Sequence, residues 1–186
     1  MVMLDAEKFL NPEMIKNNLI LSSLYLAAYE ILKSAIIDNT RNFFASDYDA
    51  DGKPVLDKQY HDEVSRLHRD PLQASCLWLE EMGSITSDEV EEIGKIRRHR
   101  NEVAHELPRL LSEPDRNLNL NYFVRIRELL TKIEIWWVRN FEMLVNPEFD
   151  GVEIEDKEIH PGRVIALDYL ISVALSDYLK DEGSTN

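Results

Sequence analysis

Lys95-Ile96-Arg97-Arg98-His99-Arg100-Asn101-Glu102-Val103-Ala104-His105 gathers four basic residues and two histidines in a chain that is otherwise acidic. Imidazole exchanges protons near neutral pH, and a guanidinium offers a planar fork of donors to an oxyanion. The chemistry open to such a segment is therefore proton transfer and anion binding. On a helical wheel of about 100° per residue, Val90, Ile93, Ile96, Val103, Ala104 and Leu107 form one apolar stripe, and Arg100 falls near its middle. An arginine there needs a partner or a cleft, because burying an unpaired guanidinium costs several kcal/mol by usual estimates. Gly94, Arg98, Asn101 and His105 align on a neighbouring face, within roughly 60° of one another, with Asn101 and His105 one turn apart.

The elements that must position these residues are helical. Asn11-Pro12 and Asp70-Pro71 each put a good N-cap before a proline at the first helical position, where its missing N–H costs nothing. They open predicted helices from Pro12 towards Asn42 and from Pro71 to about Met82, the second stopped by Gly83. Thr86-x-x-Glu89 reads as a capping box opening a third helix that reaches about Leu107, before Pro108. Phe123, Ile126, Leu130, Ile133 and Trp137 recur at three- and four-residue steps, predicting a fourth helix over about Leu120 to Val145 that ends at Asn146-Pro147. A last one covers about Arg163 to Leu179. Residues 45–58 are turn-like, and Asn146 to Gly162 is an acidic connector in which only Val152-Glu153-Ile154 suggests an extended piece. The expectation is an all-α, up-and-down bundle of four main helices with an additional C-terminal helix packed on it.

Composition narrows the function. The 186 residues hold 35 acidic against 21 basic side chains, a net charge of −14, with 44% hydrophobic residues. That suffices for one domain with a real core. So negative a surface does not coat nucleic acid or an anionic membrane, and any phosphate contact must be local. Cys76 is the sole cysteine, which removes an intrachain disulfide and a cysteine-rich zinc site. Met1 to Lys8 lacks a basic start followed by an apolar run, so the expected location is cytoplasmic. Leu19 to Ile37 is the most apolar stretch, yet Ser22, Ser23, Glu30, Lys33 and Ser34 interrupt it, so it reads as a central core helix and not a membrane span.

Arg100-Asn101-x-x-x-His105 resembles the signature of the HEPN superfamily of small helical proteins: an arginine, a polar residue such as asparagine, then a histidine after four to six intervening positions. The register around it, Gly83-x-Ile85 before a capped helix and then Ile96-Arg97-x-x-Arg100-Asn101-x-x-Ala104-His105, also resembles the mannitol-repressor family of bacterial helical regulators. The resemblance implies a HEPN-like bundle over residues 1–146, leaving 147–186 as the acidic connector and C-terminal helix of the same domain. It further implies a metal-independent endoribonuclease that needs no cofactor. Such proteins act as homodimers, one motif from each subunit lining a shared groove, and occur in toxin–antitoxin and phage-defence systems.

In that reading the ribose 2′-OH attacks the adjacent phosphate, His105 handles the proton, and Arg100 holds the phosphate and offsets its developing charge. Asn101 orients His105 or the ribose, and Lys95, Arg97 and Arg98 attract RNA phosphates. Arg100 and His105 lie about 140° apart on an ideal helix, so a dimer must bring them together, or Arg98 is the working cation. The alternative is a catalytically inactive interaction module like the mannitol-repressor family, with an antitoxin or other regulatory protein as partner and a groove closed by salt bridges around Arg100. A plainer possibility is that the basic residues pair with Glu91, Glu102 or Glu106.

Weaker patterns carry less. Asp47-x-Asp49-x-Asp51-Gly52 copies the first half of an EF-hand loop, but Lys58 stands where a bidentate glutamate is needed, so an exposed acidic turn is expected. His61 and His68 would share a helix face without a third metal ligand. Trp78, Trp136 and Trp137 read as core packing, and Cys76 as a small buried hydrophobe.

Overall fold

The computed structural model describes residues 10–113, 118–149 and 154–175. The architecture is all-α, with five helices that matter most here: α1 (Pro12–Phe43), α2 (Pro71–Glu81), α3 (Ser87–His105), α4 (Leu120–Trp137) and α5 (Gly162–Ala174). Helix α1 is the hub, contacting each of the other four. Its buried residues Tyr25, Ala28, Tyr29, Leu32, Ala35 and Ile36 recur at three- and four-residue steps, so one face enters the core over much of its length. Among the described residues it is also the one helix long and apolar enough to cross a membrane, with an 18-residue window of mean hydropathy 1.5. The other helices pack against it and bury 44% of that window.

The expected caps form. Asn11 Oδ1 accepts from the Glu13 and Met14 amides, and Thr86 and Glu89 exchange the two bonds of a capping box. Gly83 stops α2 at φ +76°, where the Gly83 and Ser84 amides donate back to the Glu80 and Leu79 carbonyls. Helix α4 departs from expectation after Trp137: one wider π-helical turn, Val138–Glu142, precedes a last turn at Met143–Val145. Residues 45–58 are more ordered than their turn-like composition suggested. Ala45–Tyr48 and Pro54–Leu56 pair as an antiparallel hairpin, and Asp49 Oδ1 takes the Asp51 and Lys53 amides across its turn. The half EF-hand is thus hairpin chemistry.

His61 and His68 do not share a helix. A short turn at Lys58–Tyr60 runs into a π-helical turn at His61–Ser65 and stops, and His68 Nδ1 accepts from the Asp70 amide instead. Among the described residues, no three metal-binding side chains gather. Trp78 and Trp137 are buried within an aromatic cluster that includes Phe43 and Phe141. Cys76 is buried too, and burial pushes its thiol up to about 12. Residues 152 and 153 of the extended piece, and 176–179 of the last helix, lie outside the described residues.

Helix α5 is fastened to the bundle by charge as well as by Val164 and Leu167. Arg163 donates at 2.8 Å both to buried Glu134 on α4 and to Asn39 on α1, and Arg127 clasps Asp168 with two bonds of 2.6 and 2.7 Å. Without Arg163, Glu134 keeps the Asn39 amide, 3.0 Å from the same oxygen, but loses its opposite charge. Arg163→Ala is therefore expected to lower unfolding stability by about 1–3 kcal/mol in urea. A loss below about 0.5 kcal/mol, the range of ordinary surface changes, would contradict that role for Arg163.

Candidate functional site

Helix α3 carries every residue of the motif, and its packing sorts them. Val90, Ile93, Ile96 and Val103 are buried, as the stripe requires, whereas Ala104 is exposed. The Ile96 carbonyl accepts from the buried Tyr25 hydroxyl at 3.1 Å, pinning α3 to α1. Arg100, set in the stripe, has a side chain 29% exposed and turned towards α1. Its Nη2 donates to Glu30 Oε1 at 2.6 Å, its Cζ lies 5.6 Å from the centre of the Tyr29 ring, and its Nη1 donates to Asn101 Oδ1 at 3.3 Å. The arginine is therefore paired and also faces a cleft. Its carboxylate partner comes from another helix, not from the α3 neighbours that spacing proposed.

Arg97 is held more tightly. Its Nη1 and Nη2 donate to the two oxygens of Asp70 at 2.8 and 2.9 Å. Asp70 also caps α2 through the Gln73 amide, so one carboxylate joins the start of α2 to the middle of α3. The Arg97 hydrogen bonds hold the Asp70 carboxyl below its ordinary value and raise Arg97 in return. For Glu30, burial pushes upward, but hydrogen bonds from Lys33 and Arg100 outweigh it and leave the carboxyl lowered.

Asp70→Asn keeps a cap acceptor and loses the charge, while Asp70→Ala loses both. The alanine variant is expected to be the less stable by about 1 kcal/mol, as cap losses usually are. A depressed carboxylate stabilises above its unfolded value of about 3.9 and loses that contribution as pH falls through the folded value. The gap between wild type and Asp70→Asn should therefore close below about pH 4. Unfolding curves at pH 7 and pH 3 check this, and an unchanged gap would contradict it.

The remaining motif residues are on the open face. Lys95 and Arg98 are exposed, Lys95 pairing with Glu91 at 2.7 Å. Asn101 and His105 are exposed one turn apart, about 6 Å along the axis. Among the described residues, the His105 side chain has no hydrogen-bond or ionic partner. His99, the other histidine of the segment, is structural. It packs against the Tyr25 and Tyr122 rings, and its Nε2 accepts from the Asn119 amide at 3.0 Å, holding the residue that caps α4.

Tyr29, Glu30, Lys33, Ile37 and Arg41 of α1, Asp70, Pro71 and Leu72 at the start of α2, and Arg97, Arg100 and Asn101 of α3 line one open cleft of about 310 Å³. Glu30, Lys33 and Arg41 escape motif reading. Glu30 and Lys33 signal themselves only as charges interrupting an apolar helix, and nothing local marks Arg41. The chain matches no protein-family model, and neither a curated protein nor a solved structure matches it.

Proposed function

We propose that this protein is a HEPN-like, metal-independent endoribonuclease that works as a cytoplasmic homodimer. The observation that carries the reading is the open face of α3: an exposed imidazole at His105 with no partner among the described residues, one turn from Asn101, which in turn accepts from Arg100. An imidazole free of other bonds can take the 2′-OH proton and return one to the leaving 5′ oxygen. Arg100 offsets charge on the phosphate, and the exposed Arg98 and Lys95 draw RNA to a face of an otherwise acidic protein. Arg100 and His105 diverge around α3, so the reaction needs the arginine of one subunit at the histidine of the other. A toxin–antitoxin or phage-defence setting fits this chemistry.

Purified protein in EDTA, assayed on single-stranded RNA beside His105→Ala, tests the reading. Cleavage that is equal in both, or absent from wild type, removes it.

One observation favours a second reading, an inactive helical regulator resembling the mannitol-repressor family. Both Arg97 and Arg100 spend their charge on carboxylates of their own chain. In that case these pairs brace the α1–α2–α3 junction, the partner is a protein, and no RNA is cut.

A further inference from the structure

We propose that the cleft between α1, the start of α2 and α3 is a binding site for a phosphate dianion, with Arg41 and Lys33 of α1 as its principal donors. The site shares Arg100 with the RNA reading and does not depend on cleavage.

Charge selects the ligand. Lys33, Arg41, Arg97 and Arg100 line the cleft against Glu30 and Asp70, so four positive charges face two negative ones and two remain uncompensated. Phosphate monoesters carry about −1.5 to −2 at neutral pH, matching that surplus, whereas an internal RNA phosphodiester carries one charge. The surplus is concentrated where the rest of the molecule is negative.

Unmet hydrogen bonding points the same way. Arg41 Nε and Arg100 Nε are shielded from water and have no acceptor. Among the described residues no carboxylate pairs with Arg41, although it ends a helix of an acid-rich chain. Buried donors are normally satisfied, so these two guanidinium groups on residues lining one cleft hold unused hydrogen-bonding capacity that an anion with several oxygens can take once their side chains turn towards it. Ile37, Pro71 and Leu72 supply apolar wall beside the cations, which strengthens attraction by lowering the local dielectric. The larger cleft of about 510 Å³ lacks these features: its cations Arg127, Lys132 and Arg139 are each paired, with Asp168, Glu89 and Asp156.

Lys33, Ile37 and Arg41 lie four residues apart along one side of α1, which presents both cations to the same space. Lys33 reaches Glu30 Oε2 at 2.9 Å while Glu30 Oε1 holds Arg100. An arriving phosphate competes with this shared carboxylate for both cations.

Calorimetric titration of the full chain with sodium phosphate at constant ionic strength, with sodium chloride as the control, tests the site. Phosphate is expected to bind and chloride not. Arg41→Gln should weaken binding at least tenfold, and Lys33→Gln, whose half-exposed pair with Glu30 contributes little to folding, should weaken it severalfold. Arg98→Gln and His105→Ala, outside the cleft, should leave it unchanged. Absence of phosphate binding by wild type, or undiminished binding by folded Arg41→Gln and Lys33→Gln, overturns the proposal. Short oligoribonucleotides with a 5′-monophosphate or a 5′-hydroxyl then identify the source. Tighter binding of the phosphorylated form supports an RNA end, and equal binding of both supports free phosphate. Loss of cleavage in His105→Ala with phosphate binding retained separates the two proposals.

Discussion

Replacing His105 by alanine is expected to reduce RNA cleavage at least a hundredfold and to leave the unfolding midpoint where it was. The first half follows from the role: a positioned general acid–base contributes roughly 10²–10⁴ in rate. The second follows from its surroundings. His105 ends α3 on an exposed face and has no partner among the described residues, and substitutions at such sites change stability by about 0.5 kcal/mol or less. The combination is diagnostic. A histidine that braced the fold would lower both quantities, and an idle one neither. Initial rates on a labelled RNA, with urea unfolding on the same preparations, give both numbers. Metal chelation should not alter the wild-type rate.

Arg100→Ala is expected to cost at least tenfold in turnover, since removing one donor to a developing charge commonly costs 10²–10³. Here stability should fall as well. The substitution takes the partner from Glu30 and the cation from the face of Tyr29, although Glu30 keeps Lys33. Arg100→Lys separates the two effects. It preserves the charge beside Glu30 and gives up the planar fork that grips two phosphate oxygens, so stability should recover more than turnover does. Arg98→Ala is the comparison that ranks the cations. Arg98 is exposed and lies nearer His105 around the helix, and if its loss costs more than that of Arg100, then Arg98 is the working cation.

The helices were legible because their signals are local. Asn11-Pro12, Asp70-Pro71 and the Thr86–Glu89 box each satisfy amides within a few residues, and each forms as the sequence indicates. The hairpin at 45–56 was not legible, since its strands are short and largely exposed and offer no alternating hydrophobic pattern. The π-helical turn that widens α4 after Trp137 lies where Trp136, Trp137 and Phe141 pack together, a contact that periodicity does not encode.

At the site, the wheel located Arg100 in the apolar stripe and required for it a partner or a cleft, and both are present. It did not identify Glu30, 70 residues away, because an ion pair between helices depends on their crossing and not on spacing within either. For the same reason Asp70 was readable as a cap and unreadable as the clamp on Arg97. His99 stands two positions from Arg97 in the basic run, yet it serves the start of α4. Composition alone could not divide the two histidines into one that holds the fold and one that faces solvent.

The central claim is that one subunit supplies the arginine and the other the histidine. Mixing separately inactive Arg100→Ala and His105→Ala proteins, after subunit exchange, tests it directly. In a two-fold dimer Arg100 of each chain meets His105 of the other, so a mixed dimer keeps one intact Arg100–His105 pair and loses both residues at the second site, and the mixture recovers about a quarter of wild-type cleavage. A mixture that remains as inactive as either variant alone, although exchange has occurred, would contradict the shared groove.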